Sequence, residues 1–225
     1  MFGYSLSPSA ALGLWLVAAA LCLEAARRAR WGAGLADHVR WSLATAFVLL
    51  GHRMTVQLES GLVLHYLGSA FLALLLGYPR ALLSMALVLA VESVWPRAGV
   101  LDPAGLANWG LRVMLSAVLP IWTMWLVVTA CRRWLPRNPF VFLLGCGLLG
   151  LFFSYALQLL GTALVFTLLV PVVPRGFAED FVPYALLLAT GESWLEGMLV
   201  TLLVVYVPGA VRLFDEGFYL ARPRP

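Results

Sequence analysis

The sequence predicts an all-α, polytopic membrane protein, and three observations predict it. Apolar residues make up 62% of the 225-residue chain, and the mean hydropathy is +0.92. Charged residues fall in short clusters between apolar runs of roughly 17–25 residues, the length that crosses a hydrocarbon core. All fifteen basic residues are Arg, and they sort to one side. Arg27, Arg28, Arg30, Arg40, Arg80, Arg132, Arg133, Arg137, Arg212, Arg222 and Arg224 fall on one set of connections, whereas Arg53, Arg97 and Arg175 fall on the other, and Arg112 lies inside a span. Eleven against three is the asymmetry of a cytoplasmic face. This places the chain across the lipid bilayer of a bacterial inner (plasma) membrane.

The elements follow in order. The first span, about Pro8 to Leu23, has no charge before it and Glu24 with the Arg27–Arg30 cluster after it. A cleavable signal carries its positive charge first, so this is a retained helix with an outside amino terminus. A second span covers roughly Arg40 to Val56, a third Leu62 to Gly77, and a fourth Ala81 to Trp95, after the Gly77–Arg80 turn. Pro96–Gly105 forms an outer loop, and a fifth helix runs from about Leu106 to Ala130. Beyond the Arg132–Pro139 cytoplasmic loop, a tilted sixth helix spans Phe140 to about Val170. After the outer loop Pro171–Asp180, Phe181 to Phe214 is too long for one upright span at about 1.5 Å per residue. Gly191 is the expected break, leaving a final helix near Glu192–Val207. The count is about seven transmembrane helices, amino terminus out and carboxyl terminus in. Residues 1–225 form a single integral membrane domain, with no repeat, linker or soluble part.

Composition removes several functions. The net charge of +4 is accounted for by the topology, so no nucleic-acid partner is needed. Cys22, Cys131 and Cys146 have no CxxC spacing and read as packing residues. Phosphate-binding glycine loops, HExxH and GxSxG are absent from the sequence, which argues against an ATPase or a familiar serine or zinc hydrolase.

The informative residues are polar groups inside the membrane, where an ionised side chain costs about 2.5–3.5 kcal/mol. His52 falls near the outer end of the second helix, Glu59 and His65 flank the start of the third, and Glu92 ends the fourth. Asn108 and Arg112 open the fifth helix, and Glu192 and Glu196 open the last. Arg marks the inner edge and ligand-capable groups the outer half, which suggests a site opening outward. Arg112 is a counter-ion for Glu92, Glu192 or Glu196. Glu192 and Glu196, four apart on one helical face, form a structural pair, a ligand pair or an acid–base pair. His52 with Arg53 reads as an interfacial group or as a ligand. His65, one turn into an apolar helix with Gly68 beyond it, reads as a ligand or as a point of close backbone approach.

Three segments resemble a known family. His65-Tyr66-Leu67-Gly68, continued through Leu75-Leu76-Gly77-Tyr78-Pro79, is similar to the HLLG stretch of the CbiM-like substrate-specificity subunits of energy-coupling-factor transporters. Gly105-Leu106-Ala107-Asn108-Trp109-Gly110 resembles the family's GxNxxNMG element, with Asn108 and Gly110 at matching places. Gly191 to Thr201 resembles its GEGLIT-type last helix, with Glu196-Gly197 the best-matched pair. The elements come in family order and cover roughly residues 60–205. One departure is plain. Cobalt and nickel members begin Met-His-Ile and supply ligands from that end, whereas this chain begins Met1-Phe2-Gly3-Tyr4, and Phe2 coordinates nothing.

The resemblance implies a substrate-capturing subunit that works with a membrane coupling (T) subunit and cytoplasmic ATPase subunits. The expected cargo is a divalent transition metal, Co or Ni, with no resident cofactor. His65 carries over as a family ligand and Asn108 as its matched neighbour; imidazole suits such ions and carboxylates extend the donor set. The expected ligand pool is therefore His65, His52, Glu59, Glu92, Asn108, Glu192 and Glu196. If histidine takes part, uptake weakens below about pH 6. Small residues of the first helix, Gly13 and Ala20 among them, offer a docking face for the coupling subunit or ordinary internal packing. Two other readings are a haem or quinone subunit with His52 and His65 as axial ligands, and a membrane hydrolase using Glu192 and Glu196.

Overall fold

Ser7 begins the first helix: its Oγ accepts the Ala10 N–H at 3.4 Å, and Pro8 occupies a position that needs no donor. The computed structural model describes residues 6–57, 63–94, 103–169 and 177–220. α1 (Pro8–Arg28) and α2 (Leu35–Gly51) lead to a short antiparallel hairpin, β1 (Thr55–Gln57) and β2 (Val63–His65), with Thr55 opposite His65. α3 (Ser69–Leu76) and α4 (Tyr78–Val94) follow. Then come α5 (Pro103–Ala107), α6 (Trp109–Val113), a π turn over Met114–Val118, and α7 (Leu119–Trp134). A π segment, Val141–Gly150, continues into α8 (Leu151–Leu169). α9 (Phe177–Tyr206), a 3-10 turn at Pro208–Ala210 and α10 (Glu216–Tyr219) complete the chain.

Among the described residues, every regular element apart from that hairpin is helical. Among the described residues, four helices are long and apolar enough to cross a membrane: Pro8–Arg28, Trp109–Trp134, Val141–Leu169 and Phe181–Tyr206. The π turn before α7 has a local cause. Pro120 lacks an N–H and its ring crowds the carbonyl four residues back, so the preceding turn widens.

Two expectations are corrected. The third span is helical only over Ser69–Leu76, because the chain before it is extended and Gly68 adopts φ +65°. Seven of the eight α3 residues are buried. A short helix is tolerated at membrane depth only where protein satisfies its ends, and that condition is met. The Leu74 and Leu75 carbonyls accept the Leu213 and Arg212 N–H groups at 3.1 and 3.2 Å, and Phe71 N–H donates to the Tyr155 hydroxyl at 3.3 Å. The second correction is at Gly191. α9 runs unbroken for 30 residues, roughly 45 Å. Without water to take up freed backbone groups, a glycine is cheaper to keep helical than to break.

Around α3 lie the fully buried side chains Leu72, Leu82, Met85, Ile121, Met124 and Tyr155. α9 reaches this core across the Val141–Gly150 segment at its glycines: a Cβ on Gly197 would lie 2.5 Å from the Gly147 carbonyl oxygen. On α1, Ala18 and Ala25 face inward, whereas Gly13 and Ala20 face outward.

Candidate metal site

The hairpin turns α2 back toward α3 and brings two imidazoles together. His52 caps α2 and His65 ends β2. Their ring centroids are 4.6 Å apart, tilted by 32°. Glu92, in the last turn of α4, places Oε1 3.2 Å from His52 Nδ1 and takes Arg112 Nη2 on Oε2 at 2.5 Å. Arg112 Nη1 also donates to Ser93 Oγ at 2.9 Å. Of the counter-ion options open in the sequence, the fold takes Glu92. The guanidinium charge beside the histidines is thereby neutralised.

The two histidines are in different chemical situations. His52 Nε2 lies 3.3 Å from the Leu67 carbonyl, so both its ring nitrogens face oxygen atoms. His65 Nδ1 lies 2.9 Å from the Tyr66 carbonyl. A carbonyl only accepts, so Nδ1 carries the hydrogen and the neutral ring holds its lone pair at Nε2. A backbone carbonyl on one ring nitrogen is a common way to fix the tautomer of a ligating histidine.

A second set of contacts holds the segment that carries His65. Glu196 accepts the Tyr66 hydroxyl on Oε1 and the Tyr155 hydroxyl on Oε2. Glu192, one turn earlier on α9, accepts Leu67 N–H on Oε2 at 2.8 Å. At Gly68 the left-handed backbone has no room for a side chain, since a Cβ would come within 2.8 Å of both Tyr66 Cε1 and Val48 Cγ1. The two carboxylates therefore tie α9 to residues 66 and 67, directly after His65.

The candidate residues thus separate into two groups. His52, His65 and Glu92 meet around Arg112; Glu192 and Glu196 meet around Tyr66, Leu67 and Tyr155. Asn108 is buried and immediately precedes α6. Glu59 and the Met1–Tyr4 end lie outside the described residues. Among the described residues, no three His, Cys, Asp or Glu side chains converge at metal-binding spacing. The histidine rings lie too close for a porphyrin between them, so they are not paired axial ligands.

The chain matches a family model described as cobalt uptake substrate-specific transmembrane region, CbiM, over residues 3–210. The chain belongs to the CbiM family. No curated protein matches it. Its fold is that of two solved structures. One, described as a transition metal transporter, has a TM-score of 0.73 at 16% identity and covers 96% of this chain and 99% of its own. The other, a truncated transition metal transporter, has a TM-score of 0.68 at 17% identity, covering 89% and 96%. As a CbiM member this chain is a multi-pass membrane subunit of a metal transporter, and it is not an enzyme.

Sequence reading missed Tyr66, Tyr155 and Ser93. Ser154, Tyr155 and Gln158 recur three and four apart in an otherwise apolar helix, and all are buried. That spacing was the available signal for an inward polar stripe in α8. Gln158 uses it by accepting from Ser69 Oγ at 3.2 Å.

Proposed function

We propose that this chain is the substrate-capturing subunit of an energy-coupling-factor importer for a divalent transition metal, cobalt or nickel, in a bacterial inner membrane. It works with a membrane coupling subunit and cytoplasmic ATPase subunits. The chain crosses the bilayer seven times, the third pass only partly helical, with the amino terminus out and the Arg-rich end in the cytoplasm. His65 Nε2 is the leading ligand.

The observation that carries this reading is the His65 Nδ1 contact to the Tyr66 carbonyl at 2.9 Å, which leaves the coordinating nitrogen of a neutral imidazole available. Glu92 balances Arg112 and orients His52, so a dication does not meet an unscreened guanidinium. His52 or Glu92 joins the donor set by giving up a contact described above; Glu59 and Asn108 are retained as donors from the sequence. Glu192 and Glu196 serve by holding the ligand segment in place.

Titration calorimetry of the purified subunit with Co²⁺, Ni²⁺ and Zn²⁺ tests the site. His65→Ala should abolish binding, while His52→Ala should weaken it without abolishing it. Unchanged affinity in His65→Ala would remove the cargo assignment. Affinity purification tests the partnership: an ATPase and a second membrane subunit should co-purify.

A further inference from the structure

A groove of about 790 Å³ opens on the membrane surface, and neither His52 nor His65 lines it. Leu43, Phe47 and Leu50 of α2 form one wall, Leu199 and Leu203 of α9 the other, and Phe71 of α3 lies in its floor. Its apolar length is defined by α2. Arg40 and Leu50 both line it, and the ten helical steps from one to the other rise roughly 15 Å. That is the depth of one leaflet, half of an apolar core about 30 Å thick.

The end of the groove at the Arg-rich face is charged. Asp37, Arg40, Arg80 and Arg212 line it. Arg80 is buried and bound to Asp37 at 2.5 Å, to the Arg30 carbonyl at 2.6 Å, and over the Trp41 ring at 5.0 Å. One carboxylate is thereby matched to one guanidinium. Arg40 and Arg212 are both exposed at the mouth, and Arg40 Nη1 reaches only the neutral Gly209 carbonyl, at 3.4 Å. Among the described residues neither has a carboxylate within ion-pair distance. Partial burial first, and then the nearby Arg30 and Arg80, hold the Arg212 guanidinium below its ordinary pKa. The mouth is a place of excess positive charge.

We propose that this groove is a binding site for an anionic phospholipid of the leaflet at the Arg-rich end, with an acyl chain between α2 and α9 and the phosphate against Arg40 and Arg212. Basic pockets between transmembrane helices bind anionic headgroups by this combination of charge and apolar depth. The helix of a partner subunit fits less well, since a spanning helix needs about 20 residues and the groove offers half that depth with its charge at one end. The inference is independent of the metal reading.

Native mass spectrometry of the full chain tests it, with dioleoyl phosphatidylglycerol and dioleoyl phosphatidylcholine offered at equal concentration. The chain should retain the anionic lipid preferentially. Arg40→Gln with Arg212→Gln should cut that preference roughly twenty-fivefold, about fivefold for each charge near the headgroup. Arg133→Gln, an exposed change at the same end, should leave it intact. Ala46→Trp, which fills the groove without touching either Arg, should also displace the lipid, so the result does not rest on one variant folding. Equal retention of both lipids, or a preference that survives the double Arg change, overturns the proposal. So does an Ala46→Trp chain that keeps the lipid but loses a co-purifying membrane subunit, which would make the groove a helix-docking site.

Discussion

Tyr66 and Glu196, 130 residues apart in the chain, share a buried hydrogen bond in which the tyrosine hydroxyl donates to carboxylate Oε1. The bond fastens the residue after His65 to the middle of α9. Tyr66→Phe leaves a buried carboxylate oxygen without its donor, a loss of about 1–3 kcal/mol. Thermal unfolding in detergent should show a lowered Tm for Tyr66→Phe and for Glu196→Leu. The double variant should lose less than the sum by about 0.5 kcal/mol or more, as expected for partners in contact. Additive losses would mean that the bond does not hold the segment.

Arg112 belongs to Glu92 and not to Glu196. Removing one partner of a buried ion pair costs about 3–5 kcal/mol, whereas removing both costs far less. Glu92→Gln should therefore reduce folded protein sharply, and adding Arg112→Gln should recover most of it. The same Arg112→Gln change should not rescue Glu196→Gln. Fluorescence-detected size-exclusion profiles of the four variants distinguish the pairings.

Two glycines of α9 should respond oppositely to Ala. A Cβ at Gly191 has nothing within 4 Å, so Gly191→Ala should raise stability by up to about 1 kcal/mol through helix propensity. A Cβ at Gly197 would lie 2.5 Å from the Gly147 carbonyl oxygen, a backbone atom that cannot swing aside. Gly197→Ala should lower the Tm by several degrees. A stabilised Gly197→Ala would mean that α9 does not approach the Val141–Gly150 segment this closely.

If His65 Nε2 ligates the metal, protons compete with the ion for that nitrogen, so affinity should fall as the pH is lowered below about 6. Calorimetry of the purified subunit at pH 7, 6 and 5 measures the effect. An affinity that does not change across this range would remove histidine from the donor set.

A reporter fused after Arg224 should be cytoplasmic and one placed before Ser5 periplasmic, because the Arg bias orients the whole chain. Both ends on one side would remove the seven-pass topology and the outward-facing site.

What the sequence determined by itself was the class of the molecule and a pool of candidates for its site. Apolar run length and Arg placement are local quantities that depend on the bilayer and not on any partner helix, so the membrane assignment needed no fold. His65, Glu92, Arg112, Glu192 and Glu196 stood out because ionisable groups are rare in such runs. The tertiary structure decided how they pair. His52 meets Glu92 and His65 only because the β1–β2 hairpin sets the register. Glu192 and Glu196 turn to Leu67, Tyr66 and Tyr155 only because α9 packs beside α8 and residues 66–68. The shortness of α3 and the unbroken α9 were likewise beyond pattern reading. Both depend on who satisfies the backbone groups: α3 can stop because the Arg212–Leu213 backbone and Tyr155 satisfy its ends, and α9 continues through Gly191 because nothing else would satisfy the groups a break exposes. Hydropathy is a property of each residue, whereas a hydrogen-bond partner 130 positions away exists only once the helices have packed.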